Sequence, residues 1–193
     1  MFYTSLPYRN EDVGDNRKFI EDYFRLDINL DELYHDWTKR DKHFQKVNAN
    51  FKGILILNQD PWECLISFIC SSNNNISRIT QMISKLSQTF SEPLNGVDGG
   101  YNNYPFPPPS KLSSEGVENT LRKLGFGYRA KYVHSVAKTL LQDHNNNDKD
   151  VYDYLFSLRS QPYDTVIPQL TSLMGVGPKV ADCVALMSLN QVC

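Results

Sequence analysis

The sequence has no run of apolar residues near the roughly 20 that a bilayer-spanning helix needs. Its start, MFYTSLPYRNEDVGD, carries neither the apolar stretch of a secretory signal nor the arginine-rich pattern of a transit peptide. A soluble chain without a visible address is expected. Cysteine is sparse: Cys64, Cys70, Cys183 and Cys193 are scattered, with no CxxC pair and no histidines at ligand spacing. That spacing encodes neither a zinc site nor an iron–sulfur cluster, so free thiols and an intracellular compartment are expected. Positive charge is also short, because 20 Lys and Arg face 22 Asp and Glu for a net charge of -2. Duplex binding draws on cations that displace counterions from phosphates. Any reading that involves DNA must therefore rest on local groups. Internal repeats, charge blocks and clear strands are missing too, apart from a candidate strand from Gly53 to Leu57.

What is present is helical periodicity. At 193 residues and 40% hydrophobic, the chain is long enough for one ordinary core. A poorly ordered segment is expected over 1–16, followed by a mainly α domain over 17–193. Phe19, Ile20, Tyr23 and Phe24 share one helical face, and Leu30, Leu33, Tyr34 and Trp37, then Phe44 and Val47, describe two short helices. In NQDPWECLISFICSS, Asp60 can cap a helix, Pro61 suits its first turn and Glu63 sits three after the cap. Leu65, Ile66 and Ile69 follow as a buried stripe. The polar corner Ser71 to Asn75 precedes a second stripe of Ile76, Ile79, Met82, Ile83, Leu86 and Phe90. From Ser91 to Pro109, with Gly99-Gly100 and a proline-rich run, a long surface connection is expected. Gly125 and Gly127 punctuate the chain before another amphipathic helix from Tyr132 to Leu141, and Asn145 to Asn147 read as a turn. Val166, Ile167, Leu170 and Leu173 form a last stripe, broken by Gly175-Val176-Gly177 before Pro178 opens a final helix.

The segment LTSLMGVGPKVADC carries the chemistry. Two helices meet at a glycine hairpin, and glycine lets backbone N–H groups approach an anion at the head of the second helix. A DNA phosphate fits such a site, although a bare GVG is as readily a tight turn. Lys179 stands in the first turn of that helix, where an amine nucleophile needs the neutral form. The positive end of the helix and partial burial both disfavour the ammonium. Cys183, four residues on, shares its face and brings a polarizable sulfur to the same pocket. Each residue also has a plainer reading: Lys179 as a solvated side chain paired with Asp182, Cys183 as a small core residue.

Leu170, Leu173, Gly175, Val176, Gly177, Lys179 and Ala181 together resemble the helix-hairpin-helix motif of base-excision DNA glycosylases. The asparagine corner CSSNNNISRI, with NQDPWECLISFICSSNNN as a whole, LRKLGFGYRAKYV and GVGPKVADCVALMSL, resembles the 8-oxoguanine DNA glycosylase/lyase family over about Phe19 to Leu189. That resemblance implies a mainly α helix-hairpin-helix glycosylase core in a nuclear, or also mitochondrial, monomer. The partner would be double-stranded DNA containing 8-oxoguanine, with no cofactor. It implies base flipping, with Asn73 filling the vacated space, Arg78 and Arg129 reading the widowed cytosine, and Tyr128 wedging beside it. It also implies that Lys179 attacks C1′ and that β-elimination follows through a Schiff base. Taken singly, Asn73 would be a helix cap, Arg78 and Arg129 solvated or phosphate-facing cations, and Tyr128 a core aromatic.

The pattern departs from the family in two places. The family's catalytic aspartate, which follows the second hairpin helix, is not found before Cys193, so this chain is expected to be incomplete at its C-terminus and inactive by itself. Most of the family's amino-terminal strand domain is not recognisable upstream of Phe19. Two rival readings are a non-catalytic helix-hairpin-helix DNA-binding fragment and a glycosylase of the same superfamily for another damaged base.

Overall fold

The computed structural model describes residues 16–94 and 104–191. The expected disorder of 1–16, the Gly99-Gly100 pair and Cys193 fall wholly or almost wholly outside the described residues. Eleven α-helices are found among the described residues: α1 (Asn16–Phe24), α2 (Leu30–Arg40), α3 (Lys42–Val47), α4 (Pro61–Ser71), α5 (Ile76–Phe90), α6 (Pro109–Ser113), α7 (Val117–Lys123), α8 (Arg129–Asp143), α9 (Asp148–Ser157), α10 (Tyr163–Thr171) and α11 (Pro178–Ser188). No strand occurs among the described residues, so the candidate strand from Gly53 to Leu57 is corrected: Ile54 and Ile56 are exposed and have no partner segment to pair with. None of these helices is long and apolar enough to cross a membrane.

The chain divides into two compact units. Asp12–Gln59 is one, and Asp60–Cys193 belongs to the other. In the first, Asn29 and Asp41 accept hydrogen bonds from the Glu32 and Phe44 amides and so start α2 and α3. Neither helix has a buried residue. They are held instead by an aromatic cluster, in which Tyr34 stacks on Phe44 and both meet the Trp37 ring edge-on. The Tyr34 hydroxyl closes the unit by donating to the Phe51 carbonyl at 2.6 Å.

The second unit contains the core. α4 starts as its sequence suggests, with Asp60 accepting from the Glu63 amide at 3.0 Å and Pro61 in the first turn. Trp62, Leu65, Ile66 and Ile69 are fully buried. They join Leu86 of α5, Leu121 of α7, Val133 and Val136 of α8, Val166 of α10 and Val184 of α11 in one core. The proline-rich connection is anchored on this core: the buried Trp62 indole donates to the Pro107 carbonyl at 2.9 Å. Beyond it the sequence reading misses α6, which begins at Pro109, where the absent proline N–H costs nothing. The Asp148 carboxylate at the head of α9 accepts from both the amide and the hydroxyl of Ser110, tying α6 to α9. The Asn145–Asn147 turn is found as expected. Asn145 and Asn146 take left-handed backbone, φ +55° and +52°, and Asn147 caps α9.

Candidate functional site

The three asparagines between α4 and α5 do three different jobs. Asn75 caps α5, accepting from the Arg78 amide at 3.0 Å. Asn74 is turned inward, its amide donating to the Cys70 carbonyl at 2.9 Å and to Met82 Sδ at 3.3 Å. Asn73 is left exposed on left-handed backbone at φ +46°. Asparagine tolerates that conformation at a cost most residues do not meet. The plainer reading of Asn73 as a helix cap is thereby assigned to Asn75.

Arg129 and Tyr128 hold this corner from the start of α8. Arg129 is only 3% exposed. Its Nε donates to the Ser72 carbonyl at 3.0 Å, and its Nη2 donates to the same carbonyl and, at 2.9 Å, to that of Asn73. The guanidinium lies 4.5 Å from the Tyr128 ring centre, and the Tyr128 hydroxyl also donates to Ser72, at 3.2 Å. Arg129 is thus neither solvated nor phosphate-facing, and Tyr128 is largely exposed rather than a core aromatic. Arg78 Nη2 reaches across to the Gly125 carbonyl at 3.1 Å, which joins α5 to the glycine turn before Tyr128. Asn73, Arg78, Tyr128 and Arg129 therefore belong to one constellation.

The hairpin between α10 and α11 closes when the Val176 amide donates to the Leu173 carbonyl at 3.1 Å. Gly175 has φ +86°, and a Cβ there would stand 2.5 Å from the Tyr132 ring, so this glycine serves both turn and packing. Tyr132 in turn meets Tyr128 edge-on at 5.6 Å, which links hairpin to corner. Gly177 is the N-cap of α11, exposed and without a side-chain cap. Pro178 has no N–H and no side chain caps α11, so the first-turn donors left for an anion are backbone amides.

Lys179 meets α4 across the α4–α11 packing. Its Nζ lies 3.4 Å from Ser71 Oγ and 5.2 Å from the Phe68 ring centre. The residue as a whole is exposed, which corrects the expectation of partial burial: in the free protein one face of the amine is open. No carboxylate among the described residues lies within ion-pair distance of it. The expected partner Asp182 instead accepts the Tyr163 hydroxyl at 2.7 Å, bridging α10 and α11. Cys183 is half-buried on the same face of α11 as Lys179. Burial pushes the Cys64 thiol up to about 12, against a hydrogen bond with Ser188 that lowers it. Burial likewise pushes Cys70 up to about 12. Phe68, Ser71 and Tyr132 are site residues that the sequence reading misses. The first two lie three apart on α4, one and two turns past Cys64, and that spacing is a signal only once α11 is known to pack there.

Two helices about a glycine hairpin, a first-turn lysine and a braced asparagine corner define a helix-hairpin-helix protein of base excision repair. The family model described as "HhH-GPD superfamily base excision DNA repair protein" matches residues 66–184, and the chain belongs to that superfamily. The model described as "8-oxoguanine DNA glycosylase, N-terminal domain" matches residues 2–65. The described part of that match is helical and holds no strand, in keeping with the expectation that most of the family's strand domain is lacking. The N-glycosylase/DNA lyase of Saccharomyces cerevisiae is 48% identical over 172 residues, covering 87% of this chain and 45% of that protein. N-glycosylase/DNA lyase OGG1 of Arabidopsis thaliana is 41% identical over 170 residues, covering 88% and 45%. The chain thus spans under half the length of these two relatives. Among solved structures, the Clostridium acetobutylicum 8-oxoguanine glycosylase/lyase in complex with DNA containing cytosine opposite 8-oxoguanine superposes with a TM-score of 0.73 at 32% identity. It covers 89% of this chain and 55% of that one.

Proposed function

We propose that this chain is the lysine-bearing core of a DNA glycosylase/lyase that removes 8-oxoguanine opposite cytosine from duplex DNA. The observation that carries the reading is the Lys179 amine, open on one side at the α4–α11 packing and 3.4 Å from Ser71, two residues before the exposed, left-handed Asn73. A lesion-bearing nucleotide rotated out of the duplex would meet the amine there, while the corner enters the gap it leaves.

In this reading the neutral Nζ attacks C1′ of the lesion nucleoside, the C1′–N9 bond breaks, and 8-oxoguanine leaves with the bonding electron pair and takes up a proton. The nitrogen loses its proton and, after ring opening, forms an imine with C1′. The imine acidifies the C2′ proton, whose removal expels the 3′ phosphate. The Phe68 ring flanks the amine at 5.2 Å, and a docked duplex would exclude water from it. Asn73 bonds the widowed cytosine, Tyr128 wedges beside it, and Gly175 and Gly177 bring the hairpin to a phosphate. Cys183 lines the pocket of the flipped base. Arg78 and Arg129 read the cytosine with the donors left over from Gly125 and from the corner. Double-stranded DNA bound by a monomer in the nucleus belongs to the same reading.

A second reading has its own support. Base loss needs a carboxylate to move protons and balance the charge that develops on the sugar, and no described carboxylate stands beside Lys179. By themselves these 193 residues would then clamp DNA and form an imine with a preformed abasic aldehyde, yet excise poorly. The test is excision of 8-oxoguanine by this chain and by a version continued through the carboxy-terminal part of its relatives. Activity in the longer protein that Lys179→Gln abolishes supports the enzyme. Equal excision by the shorter chain contradicts the need for the added carboxylate, and an active Lys179→Gln protein removes Lys179 from the mechanism.

A further inference from the structure

Ile76 breaks the rule that organises the rest of α5. It continues the stripe of Ile79, Ile83 and Leu86, and the periodicity places it in the core, yet it is 83% exposed, the highest value among the exposed large apolar side chains described. The stripe outruns the core by one turn at the head of α5, where Ile76 is not among the residues packed on the core. An isoleucine held in water at the head of a helix gains nothing for the fold. Its neighbours are already committed: Asn73 is three residues before it, and Arg78, two residues after, is held on Gly125. Tyr128, the other exposed apolar group bonded to this corner, contacts Ser72.

We propose that Ile76 is an apolar wedge that presses into the base stack of a duplex beside the gap filled by Asn73, so that the corner enters DNA as one polar and one apolar tooth. The inference rests on the DNA reading above and names a positioning residue that the reading does not include. Buried against base faces on docking, the side chain recovers the apolar area it exposes in the free protein and helps keep the kinked step unstacked.

The test uses the full 193-residue chain and a duplex carrying a tetrahydrofuran abasic analogue opposite cytosine, with 2-aminopurine next to that cytosine. Affinity is read by anisotropy and unstacking by 2-aminopurine brightening. Ile76→Ala should bind roughly tenfold more weakly and lose most of the brightening. Ile76→Asn, close in size but polar, should lose as much, and thermal unfolding of both should match the parent. Parental affinity and brightening in either variant overturn the wedge alone. A parent chain that prefers the abasic duplex no more than an intact one overturns the DNA reading and the wedge with it.

Discussion

Replacing Gly175 by alanine should damage the fold at the hairpin, and the structure gives the size of the effect. The added Cβ would lie 2.5 Å from Tyr132 Cγ and Cδ2 and 2.8 Å from its Cβ. Ordinary contact begins near 3.4 Å, so the pair must separate by about 0.9 Å. The atoms struck are the root of the ring rather than its tip, so no rotamer change relieves them and the backbone of α8 or the hairpin must move. Overpacking of this kind costs roughly 1–3 kcal/mol, and holding alanine in left-handed backbone adds about 1–2 kcal/mol. The total, about 2–5 kcal/mol, is a large share of a typical stability of about 5–15 kcal/mol. In a chain of this length each kcal/mol lowers Tm by roughly 2–4 °C, so a fall near 10 °C is expected. Gly177→Ala is the internal control, since a Cβ there meets nothing within 4 Å. It should lose no more than about 1 kcal/mol, for a poorer N-cap, while weakening DNA binding by placing a methyl group where a phosphate approaches. Differential scanning calorimetry of both variants, with anisotropy on a duplex, is the assay. If Gly175→Ala melts no lower than Gly177→Ala, the packing argument is wrong.

Three further outcomes follow from the geometry. Trp62→Phe leaves the buried Pro107 carbonyl without its donor and should cost about 1–3 kcal/mol in chemical denaturation, an unchanged midpoint counting against the anchor. Arg129→Ala frees the Ser72 and Asn73 carbonyls; it should destabilise the fold and weaken the preference for cytosine opposite a lesion or abasic site by about 1–3 kcal/mol, and unchanged selectivity would remove Arg129 from base reading. Burial holds Cys64 and Cys70 as thiols up to about 12, so brief iodoacetamide treatment at pH 8 should label the half-buried Cys183 before either, as read by peptide mass mapping; prompt labelling of Cys64 would contradict its burial.

Where apolar spacing and a cap coincide, the sequence is sufficient. α4, with Asp60, Pro61 and the Leu65, Ile66 and Ile69 stripe, is legible to the residue. α7 and α9 are less so, because VENTLRK and DKDVYDYLFS bury only two residues each and polar or aromatic neighbours blur the period. α6 is hidden by prolines that read as loop until one is recognised as a first-turn residue. The site shows the same division. Gly175-Val176-Gly177 and Lys179 are visible as a motif because turn and helix start are local. The partners of Lys179 on α4 come from more than 100 residues away, so no local pattern reports them. Ile76 is the opposite case, since its periodicity is right and its burial wrong, because stripe position says which way a side chain points and not whether anything is packed there. The net charge of -2 gives no hint of a DNA partner, because the donors at issue are a few groups fixed by contacts between distant elements.

The account rests on Lys179 acting as an amine nucleophile, and imine formation with a preformed abasic site tests this without requiring base excision. The chain is incubated with a duplex carrying an aldehydic abasic site opposite cytosine, reduced with borohydride, and the crosslinked peptide is sequenced by mass spectrometry. The account predicts one adduct, on Lys179, absent from Lys179→Gln at equal stability. An adduct on another lysine, or the same yield from Lys179→Gln, would contradict it.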